Sequence, residues 1–99
     1  MTKRAPIHPG EILKNEFLDE FSLSAYALAK ALRVPANRIT GIINGERAIT
    51  ADTALRLARY FDTTPEFWLN LQTHYELTVT RRHVAEEIAR DVPRMTATG

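Results

Sequence analysis

The 99 residues suffice for one hydrophobic core and are too few for two, and a chain 44% apolar and 25% charged has the balance of a folded globular domain. With no cysteine there is neither a disulfide nor a thiolate zinc site, and no apolar run approaches the roughly 20 residues that span a bilayer. The opening MTKRAPIHPGEIL lacks the apolar segment of a secretory signal, so a cytoplasmic protein is expected. The net charge of +1 is unevenly spread: residues 24–47 carry a net +3, whereas 1–21 sum to −1 and 48–79 to −2. Any anion site is therefore local rather than a basic tail.

Taken in chain order, the elements are all helical. His8 is an N-cap candidate, Pro9 suits a first turn, and Ile12, Leu13, Phe17, Leu18 and Phe21 recur at helical spacing, predicting a helix over about 9–20. Ser24 caps a second helix over about 25–32, with Leu28 and Leu32 four apart and Ala25 and Ala29 on the same side. Pro35, read as a first-turn residue, restarts the chain as a short third helix that Gly45 ends. Thr50 caps a fourth helix, 51–61, whose apolar stripe is read as Ala54, Leu55, Ala58 and Phe61 with Leu57 off to one side. Thr64, Pro65 and Glu66 open a fifth that carries Phe67, Trp68, Leu71 and Tyr75 and is expected to end near Leu77. A weak further helix over 81–90 uses Val84 and Ile88 before Pro93 and a polar end expected to fray. The core is expected to comprise Ile12, Phe17, Leu28, Leu32, Ile39, Ile42, Leu55, Ala58 and Phe61.

The second and third helices, joined by a tight corner, match the helix-turn-helix, in which the second helix of the pair enters the major groove. At 100° per residue, Ile39, Ile42 and Ile43 share one face, while Asn37, Thr40, Gly41 and Asn44 share the other, with no acidic residue among them. Asparagine pairs with adenine, threonine bonds a base edge or touches a thymine methyl, and Arg38 reaches guanine or phosphate. Gly41 is expected to let the helix sit deep. The start of the second helix, with Ser24, is suited to a phosphate, flanked by Tyr26, Lys30 and Arg47; Ala36, beside Asn37, is included in the same surface.

HPGEIL, LAKAL, ITADTALRLARYF and PEFWLNLQ resemble the HigA-type antitoxins, also described as virulence-associated protein I, of the xenobiotic-response-element class of helix-turn-helix proteins. The resemblance covers Ile7 to about Val92. It implies an all-α, five-helix, lambda-repressor-like DNA-binding domain over 1–78 with a short, partly helical extension over 79–99. It further implies a homodimer on a palindromic operator, repression of its own operon, neutralisation of a HigB- or RelE-like mRNA-cleaving toxin, and no cofactor. Two residues depart from the pattern. Relatives commonly carry glutamine at Ala25, where the side chain bridges phosphate and base, and glycine at the corner occupied by Arg33.

An enzyme is not expected, because His8, His74 and His83 lie far apart and no carboxylate pair or histidine pair has catalytic or metal spacing. The rival readings are a solitary regulator without a toxin and a helical interaction module that binds no DNA. Trp68 and Tyr75, seven residues apart with Leu71 between them, share a face that too few later elements remain to cover, which suggests a symmetric dimer interface.

Overall fold

The computed structural model describes residues 5–96, and every regular element among them is helical. Helix α1, Pro9–Ile12, continues without a break into a wider π-helical stretch, Leu13–Leu18. Four helices follow: α2, Ala25–Leu32; α3, Ala36–Ile43; α4, Ala51–Phe61; and α5, Pro65–Asp91.

The caps follow from local chemistry. The Gly10 N–H donates to His8 Nδ1 at 2.9 Å, the Ala27 N–H to Ser24 Oγ at 3.0 Å, the Thr53 N–H to Thr50 Oγ1 at 3.4 Å and the Phe67 N–H to Thr64 Oγ1 at 3.1 Å. Each satisfies a donor that the first helical turn leaves without a partner. Pro35 occupies the cap position of α3 itself, one place earlier than the sequence suggests.

In the π stretch the Asp19 N–H reaches back five residues to the Lys14 carbonyl at 2.9 Å, which widens the turn. Leu13 and Leu18, five apart, are thereby both buried. Phe17 meets Phe61 and Trp68, each at 4.8 Å between ring centroids.

Leu28, Leu32, Ile39 and Ile42 join the α2 and α3 faces in a core completed by Leu13, Leu18, Ile49, Ala54, Leu57 and Trp68. The expected α4 stripe requires correction: Leu57 is fully buried and Leu55 is 60% exposed. The buried arc of α4 is centred between Ala54 and Leu57, from which Leu55 is rotated by roughly a quarter turn or more. Ile12, Phe17 and Phe61 are only partly buried at the margin of this core.

The other correction concerns the end of the chain. The helix expected to stop near Leu77 and the weak helix expected over 81–90 are one helix of 27 residues. The β-branched run Thr78, Val79, Thr80 lowers propensity without removing a backbone hydrogen bond, and the Thr78 hydroxyl donates to the His74 carbonyl at 2.8 Å. The helix ends where Pro93 disfavours α geometry at Val92. Whether the chain's last three residues fray lies outside the described residues.

Candidate nucleic-acid interface

Helices α2 and α3 meet at a corner in which Arg33 takes the left-handed conformation, φ 62°. Its N–H bonds back to the Lys30 carbonyl and the Val34 N–H to the Ala29 carbonyl, closing α2 in a position usually suited to glycine. The corner is also laced from outside. Arg38 of α3 donates to Asp52 of α4 at 2.7 Å, Arg56 Nε donates to the same carboxylate at 2.9 Å, and Arg56 Nη1 donates to the Leu32 carbonyl at the end of α2 at 2.8 Å. The hydrogen bond from Arg56, followed by that from Arg38, holds the Asp52 carboxyl below the usual carboxylate range. Neither Asp52 nor Arg56 is prominent in the sequence; their four-residue spacing on α4 was the available signal.

The surface of α3 divides more finely than its periodicity implies. Asn37 and Asn44 are exposed and Thr40 is partly so, while Ile39 and Ile42 are sealed on the inner side. Gly41, expected to lie open, is buried. A Cβ there would stand 2.9 Å from Arg47 Cδ and 3.0 Å from its Cγ. The Arg47 stem thus lies across Gly41, while the Glu46 and Arg47 N–H groups both bond the Gly41 carbonyl, at 2.8 and 3.1 Å. Glycine leaves the room here in which the Arg47 stem lies against the helix. Arg38 is ion-paired to Asp52 between α3 and α4, with about a third of its side chain still exposed.

On α2, Tyr26 and Lys30 are exposed, and Ser24 uses its oxygen as a cap while its hydroxyl proton remains available. Ala25 and Ala36 pack partly against the core. The arrangement brings six of the sequence-selected residues to the surface: Ser24, Tyr26, Lys30, Asn37, Asn44 and Arg47.

Behind this face, the loop after α3 is anchored by residues that sequence reasoning did not select. Gln72 of α5 is buried; its Oε1 accepts from the Ile49 N–H at 2.8 Å and its Nε2 donates to Glu76 at 2.8 Å. Gly10 packs so closely against α3 that a Cβ on it would run into the Ile42 carbonyl. Its place in HPGEIL, directly after the helix-opening proline, was the only sequence signal. His8 lies edge-on to Tyr75 at 4.8 Å, and a Cβ on Gly45 would sit 3.9 Å from its ring. Burial lowers the His8 pKa below the ordinary 6.5, against opposing contributions from the Arg47 backbone and Glu11.

The helix-turn-helix family model spans residues 15–68. The chain is 59% identical over 71 residues to virulence-associated protein I of Dichelobacter nodosus, covering 72% of this chain and 66% of that protein. It is 44% identical over 86 residues to antitoxin HigA-1 of Vibrio cholerae serotype O1, covering 87% of this chain and 81% of that protein. The chain belongs to the HigA antitoxin family of helix-turn-helix proteins. The solved structure of Pseudomonas aeruginosa antitoxin HigA with the higBA promoter has a TM-score of 0.88 and 46% identity to it, over 92% of this chain and 99% of that one.

One expectation for this HigA-family chain fails on burial. Trp68, read as part of a dimer surface, is fully enclosed within the single chain. Phe17 and Phe67 flank its ring, at 4.8 and 5.0 Å between centroids, and its Nε1–H donates to Thr63 Oγ1 at 2.8 Å. Leu71 packs partly against the core and Tyr75 against His8, so the three residues do not form an open face. The π stretch brings Phe17 over the indole, and no local pattern in α5 announces that cover.

Proposed function

We propose that the chain is a DNA-binding antitoxin that represses its own operon and neutralises a HigB- or RelE-like mRNA-cleaving toxin. The observation that carries the DNA-binding half is the pairing of exposed Asn37 on α3 and Asn44 at its C-cap with Arg47 folded across Gly41 beside them. The asparagines offer both a donor and an acceptor to base edges, and Arg47 offers a cation to the phosphate backbone. Ser24 and Lys30 on α2 add backbone contacts, so that α2 holds the register and α3 reads. The toxin half is supported by the likeness to antitoxins HigA-1 and HigA. The reading assigns no catalytic step and no cofactor, and places the protein in the cytoplasm with the DNA it binds.

The protein acts as a homodimer on a palindromic operator, with its two α3 helices entering major grooves about 34 Å apart. The outer half of α5 supplies a self-complementary face in place of Trp68. Leu77, Val84 and Ile88 recur at seven- and four-residue spacing, with Leu77 46% and Ile88 49% exposed. Two copies of one apolar stripe related by a twofold axis cover each other.

The test measures affinity for the chain's own upstream DNA and for random DNA across a salt series. Asn37→Ala is expected to lose about 1–3 kcal/mol on the operator alone, while Arg47→Ala weakens all DNA and lowers the salt slope by about 1. Equal affinity of wild type for both DNAs at every salt concentration refutes sequence-specific reading. Failure to coelute with a toxin encoded beside it leaves a solitary DNA-binding regulator.

A further inference from the structure

The loop between α3 and α4 is held from behind by a side chain that lies outside the proposed DNA surface. We propose that His8 is a positioning residue for operator binding: its neutral imidazole clamps the Asn44–Arg47 loop to the start of α1 and to α5, keeping Arg47 in place over Gly41. The inference rests on the proposed role of Arg47 and adds to it a device that sets where Arg47 stands.

Three elements meet at the ring. From α1, the Gly10 N–H donates to Nδ1 at 2.9 Å, so that nitrogen must carry a lone pair and the proton of the neutral ring belongs on Nε2. From the loop, the Arg47 backbone hydrogen-bonds the ring in the sense that favours a proton on it, and a Cβ added to Gly45 would just reach the ring at 3.9 Å. From α5, Tyr75 packs edge to face at 4.8 Å between centroids. Gly45 itself is at φ 76°, so the turn beside the ring is one that few other residues adopt.

Adding a proton breaks this arrangement at a definite atom. Nδ1 changes from acceptor to donor and then opposes the Gly10 N–H, at the helix end whose dipole already disfavours a cation. The titratable neighbours are Glu11 on α1, Tyr75 on α5, and Arg47 on the loop with Glu46 beside it in sequence; of these Glu11 favours the cation. Burial outweighs that attraction, and the ring stays neutral more readily than an exposed histidine does. Because the folded state favours the neutral ring, the clamp is complete above the ordinary histidine range and is lost as pH falls through and below it. The sign is diagnostic. A histidine beside phosphate strengthens DNA binding on protonation, whereas His8 is expected to weaken it.

The test compares wild type, His8→Asn and a His74→Gln/His83→Gln control. Asparagine preserves an N-cap acceptor but is too short to reach the loop and Tyr75. Two measurements are made: hydrogen exchange of the Glu46 and Arg47 amides without DNA, and affinity for the upstream DNA at fixed salt between about pH 7.5 and pH 5.5. Wild type and the control should lose about tenfold in affinity over this range, and His8→Asn should start about tenfold weaker and change little, the scale of one lost hydrogen bond. Exchange at the two amides should quicken in His8→Asn while circular dichroism is unchanged. Wild-type exchange and a wild-type pH profile in His8→Asn overturn the clamp. Faster exchange with no DNA binding by any variant supports the clamp on the loop and refutes the DNA-reading role instead.

Discussion

At single positions, the largest consequences arise where a side chain would displace backbone. Gly10 faces the Ile42 carbonyl, so even one methyl group forces α1 away from α3. Gly10→Ala is expected to destabilise the fold by about 3 kcal/mol, the upper end for overpacking, and a chemical-denaturation series measures it. Gly41 presents the opposite case, because a Cβ there meets only the flexible stem of Arg47. Gly41→Glu should therefore keep the fold, as judged by circular dichroism, while expelling Arg47 and placing a carboxylate toward phosphate. Operator affinity should fall by at least as much as in Arg47→Ala. At the corner, Arg33 holds a left-handed conformation that costs a residue with a Cβ about 1–2 kcal/mol, while glycine loses roughly 0.5–1 kcal/mol through backbone entropy. Arg33→Gly should thus raise stability by up to about 1 kcal/mol.

At the level of elements, α3 is positioned by what lies around it more than by its own length. Eight residues make a helix too short to persist alone, so its place depends on Ile39 and Ile42, on the Asp52 ion-pair chain and on the loop that follows. Gln72 holds that loop to α5 through the Ile49 N–H. Gln72→Leu leaves this N–H buried without a partner and should cost about 1–3 kcal/mol, read from the denaturation midpoint. Gln72→Glu retains the acceptor but sets a buried carboxylate against Glu76, so its cost should shrink as pH falls and one of the pair takes up a proton. The helices and their caps were largely legible because Ser24, Thr50 and Thr64 are each followed by an apolar repeat within a few residues. The continuation of α5 was less so. Its outer half carries β-branched residues in sequence, and nothing local distinguishes a weakened helix from an interrupted one.

Across the whole molecule, the continuous α5 extends an otherwise compact bundle to 57 Å in its longest dimension. It carries an apolar stripe that the single chain leaves uncovered. If this stripe joins two copies, Leu77→Glu with Ile88→Glu should yield a folded monomer by sedimentation. Operator affinity should fall by about 10²-fold or more, because the second half-site is no longer linked to the first. A double variant that remains dimeric places the interface elsewhere. The same substitutions should leave the Leu28–Ile39 core unaffected, so thermal stability in the concentration-independent regime tests whether folding and assembly are separate.

The sequence by itself determined the helical class, the helix starts capped by Ser24, Thr50 and Thr64, the sealed Ile39 and Ile42 face and the exposed asparagines opposite it, since each depends on cap chemistry or on a 3.6-residue period within one element. Only the tertiary structure decided which apolar and charged residues the neighbours cover. Trp68 was enclosed by an aromatic cluster built from α1's π stretch and α4, Leu55 was left outside the buried arc, and Arg38 was drawn to Asp52. Gly41 disappeared under Arg47, and His8 came to rest beside the loop it is proposed to hold. These outcomes depend on contacts between elements far apart in the chain, and periodicity within a helix specifies a direction but not what stands there.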